Sequence, residues 1–537
     1  MNENQVIMAA KQEERFKLCD QMELQEFPDK YLIRSVDNSS QQQQTFSVDR
    51  SDGIIQPGDT CDANPTKVST IYGVVGTIRL LAGTYLLVIT SRKEVGTYLG
   101  FTIFRVMSMK FMACNGSLSY SSYQEKKDEA YFMSLLRTVE STPGLYYSYE
   151  TDLTLNLQRT YKLAKERIRK PLWKQADPRF VWNRSLLEDL IECKLDTFVI
   201  PLVQGSILKL VIFMLSRSPD ISFPNFHFLL LWNSFTSFHA LTSQFTLKDS
   251  PARITLISRR CTRRLGTRMW RRGANFEGDT ANFIETEQLL EFGGFTSSIL
   301  QVRGSIPLLW EQIVDLSYKP RIKIISHEET PKAVERHFND LKQRYGDVVV
   351  LDLTDKRGDE GQLSAAFASE MQKLPHIRYV SFDFHHHCGN SNLDNIELLY
   401  DQISEDIEKQ GYFLVDSEGQ IIAEQNGVAR ANCIDCIDRT NVTQSFLARK
   451  SLNLQLHRMG ALSFSECIST SDEIYEMFKI LWVEQGDEIS LEYCGTNALK
   501  RDLVRFGKQT LVGLIKDGMS ALSRYYLNNF HDGIKQA

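Results

Sequence analysis

The sequence predicts a mixed α/β protein in which a β-rich N-terminal part precedes an α/β part built on a mixed sheet. Three observations predict this class. The stretch 68–90 is rich in Val, Ile, Thr and Tyr and is interrupted by glycines, which is typical of a β-meander. From residue 321 onward, short apolar runs alternate with segments of helical periodicity. A C-x5-R-T pattern at 433–440 lies between a predicted strand and a predicted helix.

The length of 537 residues exceeds what one hydrophobic core usually supports, so we expect more than one domain. We predict a polar tail over 1–20, an N-terminal domain over 21–178 and a catalytic domain over 179–537. Helical patterns at 128–140 and 151–169 fall in the first third of the chain.

Composition excludes several classes of protein. The net charge of −5 gives no overall attraction to nucleic acid, and no nucleic-acid partner is expected. Ten scattered cysteines and the absence of an N-terminal signal-peptide pattern indicate free thiols in a reducing compartment. Since no apolar run reaches the roughly 18 residues needed to span a bilayer, we expect no transmembrane segment in this sequence.

The segment 206–246 is unusual because it holds three charged residues and seven phenylalanines without a persistent period. It interrupts the predicted catalytic domain as an apolar insertion. A buried or disordered insertion, a loop that touches a membrane and a retained non-coding segment are the alternatives that the sequence leaves open.

The C-terminal half contains the clearest elements. Apolar runs predict strands at 347–353 and 378–384, with a helix between them at 362–374. Apolar residues at helical spacing predict a helix over 394–410, and a hairpin follows at 412–425.

The C-x5-R-T pattern places Cys433 at the end of a strand and Arg439 near the start of a helix that we expect to begin near Thr440 or Asn441 and to end at Gly460. A loop of this length can turn its N–H groups toward one centre, and the helix N-terminus adds a positive dipole end. The predicted chemistry is attack of the Cys433 thiolate on phosphorus. The loop lowers the pKa of this thiol, and Arg439 grips the phosphate oxygens.

Proton transfer to the leaving alcohol requires an acid, and Asp435 and Asp438 are the candidates within the loop. The remaining substrate-binding assignments comprise loop residues, the first helical residues and a basic pair further along the chain: Ile434, Cys436, Ile437, Thr440, Asn441, Lys500 and Arg501.

Other patterns compete with this interpretation. Cys433 and Cys436 form C-x-x-C, which suits a redox or zinc site, but the second pair that zinc requires is missing from the sequence. Seven arginines within 259–272 are interpreted either as a cationic wall facing an anionic lipid surface or as strand residues paired with Glu277, Asp279 and Glu285. Three histidines at 385–387 are expected on a strand, where alternate side chains cannot converge on a metal.

Several segments resemble the Sac-domain (suppressor of actin) phosphoinositide phosphatases. The segment RANCIDCIDRTNVTQS (430–445) resembles their signature, and YGVVGTIRLLAGTYLLVIT (72–90), RRGANFEGDTANFIETEQ (271–288) and GTNALKRD (495–502) resemble further blocks in family order. The likeness is closest to plant endomembrane members.

This resemblance implies an N-terminal Sac domain followed by a catalytic domain of the cysteine-phosphatase type. The expected activity is hydrolysis of a phosphatidylinositol monophosphate, most of all the 4-phosphate, through a phosphocysteine and without a metal or other cofactor. By position, Cys433 corresponds to the family nucleophile and Arg439 to its phosphate-binding arginine, with Asp435 as the suspected acid.

The partner implied is a phosphoinositide lipid in a membrane. The resemblance implies that the protein contacts this membrane peripherally, on the cytosolic face of endomembranes. Endomembrane members usually continue into transmembrane helices after the equivalent of Gly533, whereas this sequence stops at Ala537. A scaffold that binds phosphoinositides without hydrolysing them, and a protein phosphatase with the same nucleophile, are the alternative functions.

Overall fold

The predicted mixed α/β class is confirmed by a computed structural model in which a large mixed sheet is flanked by helices. The structure describes residues 15–36, 44–61, 63–114, 122–167, 169–212, 241–243, 252–317, 319–389, 393–463 and 465–533.

The strands, in chain order, are β1 Met22–Glu26, β2 Lys30–Ser35, β3 Thr45–Asp49, β4 Ile55–Pro57, β5 Lys67–Ile71, β6 Gly73–Leu80, β7 Gly83–Tyr98, β8 Phe101–Ala113, β9 Leu145–Tyr147, β10 Val203–Ile212, β11 Leu241–Ser243, β12 Ala252–Arg260, β13 Ile284–Phe292, β14 Phe295–Arg303, β15 Trp310–Gln312, β16 Ile322–Ile324, β17 Asp347–Asp352, β18 Arg378–Ser381, β19 Phe413–Val415, β20 Ile421–Ala423 and β21 Gly427–Asn432.

The α-helices, in the same order, are α1 Tyr123–Glu140, α2 Leu157–Arg167, α3 Leu172–Gln175, α4 Glu188–Glu192, α5 Thr330–Tyr345, α6 Gly358–Met371, α7 Phe384–Cys388, α8 Glu397–Gln410, α9 Asp438–Arg458, α10 Asp472–Cys494, α11 Arg501–Phe506 and α12 Leu511–Phe530.

Two sheets carry most of the strands. The first has the order β4-β3-β2-β1-β5, and each pair in it is antiparallel. The second has 14 strands and runs as β18-β17-β21-β14-β13-β12-β10-β9-β8-β7-β6, with β11, β19 and β20 attached to its sides. This sheet continues across residue 178, and the proposed domain division there stays a prediction.

The parallel strands β17, β18 and β21 form one end of the large sheet. Successive residues of β17 face opposite sides, so Val348 and Val350 pack with α5 and α6, whereas Val349 and Leu351 pack with α8 and α9. Helices on both faces bury all of β21 and all of β17 except Asp347, whereas the edge strand β18 is partly exposed. The carboxyl end of β21 therefore meets the N-terminus of α9 at an edge that the surrounding helices hold in place.

The predicted apolar insertion begins in ordered structure. Residues 206–212 belong to β10, which pairs antiparallel with β12 so that Ile212 lies opposite Ala252. The chain thus leaves and re-enters the sheet at neighbouring strands. Residues 213–240 and 244–251, which make up most of the insertion, lie outside the described residues, as do 1–14 of the predicted tail.

Several predicted elements differ in detail from the structure. The strand expected over 378–384 ends at Ser381, and His385 to His387 lie in the short helix α7 rather than in a strand. Asp383 accepts a hydrogen bond from the N–H of His386 and so caps this helix. Helix α9 begins at Asp438, two residues before Thr440, while the predicted stop at Gly460 agrees with the positive φ of 70° at that residue.

Candidate functional site

The C-x5-R-T loop, residues 433–440, joins the end of β21 to the start of α9. Cys436 adopts a φ of 56°, and this left-handed residue turns the loop back on itself. No side chain among the described residues caps the N-terminus of α9. The first N–H groups of this helix have no partner in its own hydrogen-bond ladder, so they are available to an anion.

The sulfur of Cys433 is fully buried within this loop. It accepts a hydrogen bond from the backbone N–H of Cys436, with 3.0 Å between nitrogen and sulfur. The hydroxyl of Thr440 also donates to this sulfur across 3.5 Å. The thiol in turn donates to Oδ1 of Asp435 across 3.5 Å.

Burial raises the pKa of the Cys433 thiol well above its ordinary value, and the neighbouring Cys436 adds to this increase. The positive charge of Arg439 acts in the opposite direction. This result differs from the lowered pKa expected from the sequence, because loss of contact with water outweighs the local donors in the ligand-free loop.

Cys436 serves the loop as a proton donor. Its Sγ lies 2.9 Å from the carbonyl oxygen of Gly304 and 3.3 Å from that of Cys433. Its sulfur also accepts a hydrogen bond from the backbone N–H of Cys433 across 3.3 Å. Burial opposes ionisation of Cys436, but its hydrogen bonds with Cys433 and the charge of Arg430 hold its pKa below the ordinary value.

The guanidinium of Arg439 points to acidic residues on the neighbouring elements. Its Nη1 donates to Oε2 of Glu360 at 2.8 Å, to Oδ1 of Asp355 at 3.1 Å and to the carbonyl oxygen of Leu353 at 3.3 Å. The side chain is nearly buried, and its pKa is raised well above the ordinary value: burial opposes this increase, and the charges of Cys433 and Glu360 produce it. Arg439 is therefore a permanent cation that two carboxylates already balance.

The carboxylate of Asp435 lies among arginines. Its Oδ2 is 3.2 Å from Nε and 3.2 Å from Nη2 of Arg268. Burial alone would raise the pKa of Asp435, but Arg268, Arg272 and Arg439 hold it well below the usual range. Asp435 is consequently ionised among these arginines.

Asp438, the second candidate acid, is tied to other parts of the fold. Its Oδ1 accepts a hydrogen bond from the N–H of Leu499 at 2.6 Å, and its Oδ2 accepts one from Nη1 of Arg524 at 3.1 Å. Arg524 is buried and lies on α12. These contacts connect the first turn of α9 to α12.

A cavity of about 520 Å³ opens above the loop, and Ile434 and Asp435 line it. Seven basic side chains also line it: Arg268, Arg272, Lys319, Arg357, Arg439, Lys500 and Arg524. Five acidic side chains share the lining: Asp355, Asp359, Glu360, Asp435 and Asp438. The excess of basic groups makes the cavity suited to a phosphate-bearing ligand.

The structure brings only some of the predicted binding residues to this cavity. Cys433, Cys436, Ile437, Thr440 and Asn441 are buried beneath it, and their side chains do not line it. Ile437 packs with Tyr493 and Cys494, and Asn441 donates from Nδ2 to the carbonyl oxygen of Trp482 at 2.8 Å.

The predicted pair Lys500 and Arg501 separates. Lys500 lines the cavity, whereas Arg501 forms an ion pair with Asp487 at 3.0 Å and lies outside the lining. The predicted role of Arg501 at the phosphate rim therefore does not fit its position.

The arginine-rich segment also divides into two groups. Arg263 pairs with Asp279, and Arg259 pairs with Glu285 and Glu287, but Arg259 is fully buried and not on the solvated strand face that the ion-pair interpretation predicts. Arg268 and Arg272 reach the cavity, as the cationic-wall interpretation predicts. Each interpretation thus holds for part of the segment.

Sequence reasoning missed most of the cavity wall, and four of the missed residues contact the predicted site residues directly. Asp355 and Glu360 bind Arg439, and Arg524 binds Asp438. His385 joins two sides of the cavity, since its Nδ1 lies 2.7 Å from Oδ1 of Asp355 and its Nε2 lies 2.6 Å from Nζ of Lys500. The one available signal was the position of Asp355 just after the predicted strand at 347–353.

Metal ligation and membrane spanning find no support in the described parts of the chain. Among the described ranges, no group of three or more His, Cys, Asp or Glu side chains is placed to hold a metal ion. In the same part of the chain, no helix is both long and apolar enough to cross a bilayer.

The chain is similar to known proteins along most of its length. The family model for the SacI homology domain matches residues 72–389. The chain is 61% identical over 524 residues to "Phosphoinositide phosphatase SAC8" of Arabidopsis thaliana, covering 97% of this chain and 83% of the relative.

Other relatives agree with this match. "Phosphoinositide phosphatase SAC7" of Arabidopsis thaliana is 46% identical over 97% of this chain and 83% of its own length. "Phosphatidylinositol-3-phosphatase SAC1-B" of Danio rerio is 37% identical over 88% of this chain and 76% of its own length. The chain belongs to the SacI homology domain family.

Proposed function

We propose that this chain hydrolyses a phosphatidylinositol monophosphate, most of all the 4-phosphate, through a phosphocysteine at Cys433. The chain is a phosphoinositide phosphatase, since its family and its relatives are of that class. The observation that carries the mechanism is the position of the Cys433 sulfur, 3.0 Å from a loop N–H and next to the uncapped N-terminus of α9.

In the proposed first step, the phosphate of the substrate enters the cationic cavity and adds negative charge beside Asp435. This charge raises the pKa of Asp435, which then takes the proton of the Cys433 thiol across their 3.5 Å contact. The resulting thiolate attacks phosphorus, and the bond from phosphorus to the inositol oxygen breaks. Asp435 donates its proton to that oxygen.

In the proposed second step, water attacks the phosphocysteine. Asp435, again a carboxylate, accepts a proton from the water, and the sulfur of Cys433 leaves as a thiolate. Asp435 fits this role better than Asp438, since Asp438 is held by Arg524 and by the N–H of Leu499.

Arg439 has to exchange partners for its proposed role. It lines the cavity, but its Nη1 is bonded to Glu360 and Asp355. Glu360 already contacts both terminal nitrogens of Arg439, at 2.8 Å and 3.4 Å. A phosphate dianion can also bind the guanidinium through two oxygens, and it carries more negative charge than one carboxylate. Phosphate binding therefore draws the guanidinium toward the loop.

The preference for the 4-phosphate rests on the family resemblance, while animal relatives carry the name phosphatidylinositol-3-phosphatase. The position of the phosphate on the inositol ring is therefore tested directly. Phosphate release is measured on vesicles that contain the 3-, 4- or 5-phosphate, with Cys433→Ser as the control. The fastest release is expected from the 4-phosphate, and equal activity of Cys433→Ser would remove the mechanism.

The phosphocysteine has its own test. Acid quenching during turnover should leave a mass increase of one phosphate group on the peptide that contains Cys433, and this increase should be absent in Cys433→Ser. A phosphotyrosine peptide serves as the comparison substrate, and preference for it would favour the protein-phosphatase alternative. The pairing of β10 with β12 on both sides of the apolar insertion supports an active enzyme over an inactive scaffold.

A further inference from the structure

Helix α12 exposes a continuous apolar face. Eight large apolar side chains on it are between 54% and 76% exposed: Leu511, Val512, Leu514, Ile515, Met519, Leu522, Tyr526 and Phe530. Six of them, from Leu511 to Phe530, follow one another at spacings of three or four residues, which places them in one stripe along a helix about 30 Å long. A stripe of this size on a water-exposed helix indicates a contact surface.

The opposite face of α12 belongs to the cavity. Ala521, Arg524, Tyr525 and Asn528 line it, and Arg524 binds Asp438 in the first turn of α9. The helix is thus fixed to the loop that carries Cys433. The apolar stripe and the cavity lie on opposite faces of one helix, whose diameter is about 10–12 Å. A surface that binds the stripe is therefore held at about that distance from the cavity.

The charges around the stripe have one sign. In α12, which is described throughout, Lys516 is the one charged residue at an exposed position. The exposed side chains of Arg505 and Lys508 precede the helix. Basic residues beside an apolar helical face are typical of helices that lie in the interface of an anionic bilayer.

Two further exposed apolar residues lie near α12. The hydroxyl of Tyr525 donates to the carbonyl oxygen of Leu316, whose side chain is 63% exposed. After α12, Gly533 approaches the exposed indole of Trp270 so closely that an added methyl group would lie 3.0 Å from the ring. Tryptophan is enriched at membrane interfaces, where its ring meets both apolar and polar surroundings.

We propose that the exposed apolar stripe of α12 is the surface by which this enzyme docks onto the bilayer that contains its substrate. The proposal rests on the lipid substrate proposed above, because a headgroup still anchored in a membrane reaches the cavity only if the cavity lies against that membrane. The helix enters the interface with its apolar face, Lys516 faces the anionic headgroups, and Arg524 keeps the cavity aligned with both.

The main variant replaces three residues of the stripe, Ile515→Gln, Met519→Gln and Leu522→Gln, since glutamine preserves helix propensity. The matched control makes the same replacements at equally exposed sites far along the chain, Ile54→Gln, Leu81→Gln and Met107→Gln. Binding is measured by co-sedimentation with phosphatidylcholine vesicles that contain phosphatidylserine and no phosphoinositide. We expect the stripe variant to bind about tenfold or more weakly and the control to bind like the unmodified protein.

Hydrolysis is measured in parallel on vesicle-embedded substrate and on a short-chain phosphoinositide dissolved as monomers. The stripe variant should lose about tenfold or more of the vesicle activity and keep the activity on dissolved substrate. Retained activity on dissolved substrate also shows that the variant is folded. If the unmodified protein binds vesicles but hydrolyses neither substrate, the proposed function fails and the docking surface stands.

A second variant, Lys516→Glu, changes one exposed side chain and leaves the apolar stripe intact. Its binding to anionic vesicles should weaken about fivefold or more, with no change on pure phosphatidylcholine. Unchanged vesicle binding by both variants would overturn the proposal. Light scattering gives a second outcome that would overturn it. If the unmodified protein is a dimer, and the stripe variant is a monomer that still binds vesicles, the stripe joins two copies of this chain.

Discussion

Nη1 of Arg439 lies 2.8 Å from Oε2 of Glu360, and this contact joins the C-x5-R-T loop to the first turn of α6. Glu360 is therefore a competitor of phosphate for the same guanidinium. Nη2 of Arg439 also donates to Oε1 of Glu360 at 3.4 Å, and Asp355 shares Nη1 at 3.1 Å. The strength with which Glu360 holds Arg439 sets part of the cost of phosphate binding.

Replacing Glu360 by Gln should strengthen phosphate binding. The neutral amide holds the guanidinium less firmly and also removes one negative charge from the cavity wall. The inhibition constant of inorganic phosphate, measured against hydrolysis of a dissolved phosphoinositide, should fall about threefold to tenfold.

The matched control is Asp359→Asn, which removes a neighbouring carboxylate that also lines the cavity but accepts its hydrogen bond from the N–H of Ile322. Asp359→Asn should lower the inhibition constant of inorganic phosphate less than Glu360→Gln does. Equal effects of the two variants would show that overall charge, and not the contact with Arg439, decides phosphate affinity.

Arg272 supports the loop from below the cavity. Its Nη1 donates to the carbonyl oxygen of Ile434 at 3.0 Å, and its guanidinium lies 5.5 Å from the centre of the Trp310 ring. Lysine keeps the charge but cannot maintain both the stacking and this hydrogen bond. We expect Arg272→Lys to lower kcat about tenfold to a hundredfold with a smaller change in KM, measured on dissolved substrate.

Arg271→Lys is the control for that experiment. Arg271 donates to the carbonyl oxygen of Trp270 at 3.4 Å and lies outside the cavity lining. It should leave kcat within about twofold of the unmodified protein. A loss of turnover as large as that of Arg272→Lys would point to a general requirement for arginine in this segment.

Glu492, near the end of α10, makes stability depend on pH. Burial raises the pKa of its carboxyl to about 8, and Glu488 adds to this increase. A raised pKa in the folded state favours the protonated form, so this contribution is full below the unfolded value of 4.5 and is lost as pH rises through about 8. Between pH 5 and 8.5, Glu492→Gln should become more stable relative to the unmodified protein by about 2–4 kcal/mol.

Urea denaturation at the two pH values measures this difference. Glu473→Gln, at an exposed position of the same helix, is the control and should give the same difference at both pH values. A pH dependence of Glu492→Gln identical to that of the unmodified protein would show that this carboxyl does not titrate between pH 5 and 8.5.

Local patterns predicted the elements that carry the loop. Strand β17 lies within the predicted 347–353, helix α8 within 394–410, and the hairpin β19–β20 within 412–425. These predictions succeed because each depends on side-chain periodicity or turn residues over a few positions. The adjacency of Cys433 to the start of α9 follows from the same local information.

The walls of the cavity depend on contacts between distant parts of the chain. Arg524 is 86 residues from Asp438, and Glu360 is 79 residues from Arg439. No periodicity connects such pairs, so local patterns could not reveal them. His385 directly follows the apolar run 378–384, which predicts a strand. The cap at Asp383 instead begins a helix there, and Nε2 of His385 lies 2.6 Å from Nζ of Lys500.

The connection between β10 and β12 can be shortened without touching the cavity. Because Ile212 lies opposite Ala252 in an antiparallel pair, residues 213–251 can be replaced by Asn-Gly, which closes such a pair as a two-residue turn. The replacement also removes the three-residue strand β11, which pairs with the end of β10. The cavity lining contains no residue of 213–251 among those described. We therefore expect unchanged kcat on dissolved substrate and a thermal midpoint equal to or above that of the unmodified protein, since a shorter connection costs less loop-closure entropy. A variant that folds but has lost activity on dissolved substrate would show that this segment contributes to the site, and higher activity would show that it restrains the enzyme.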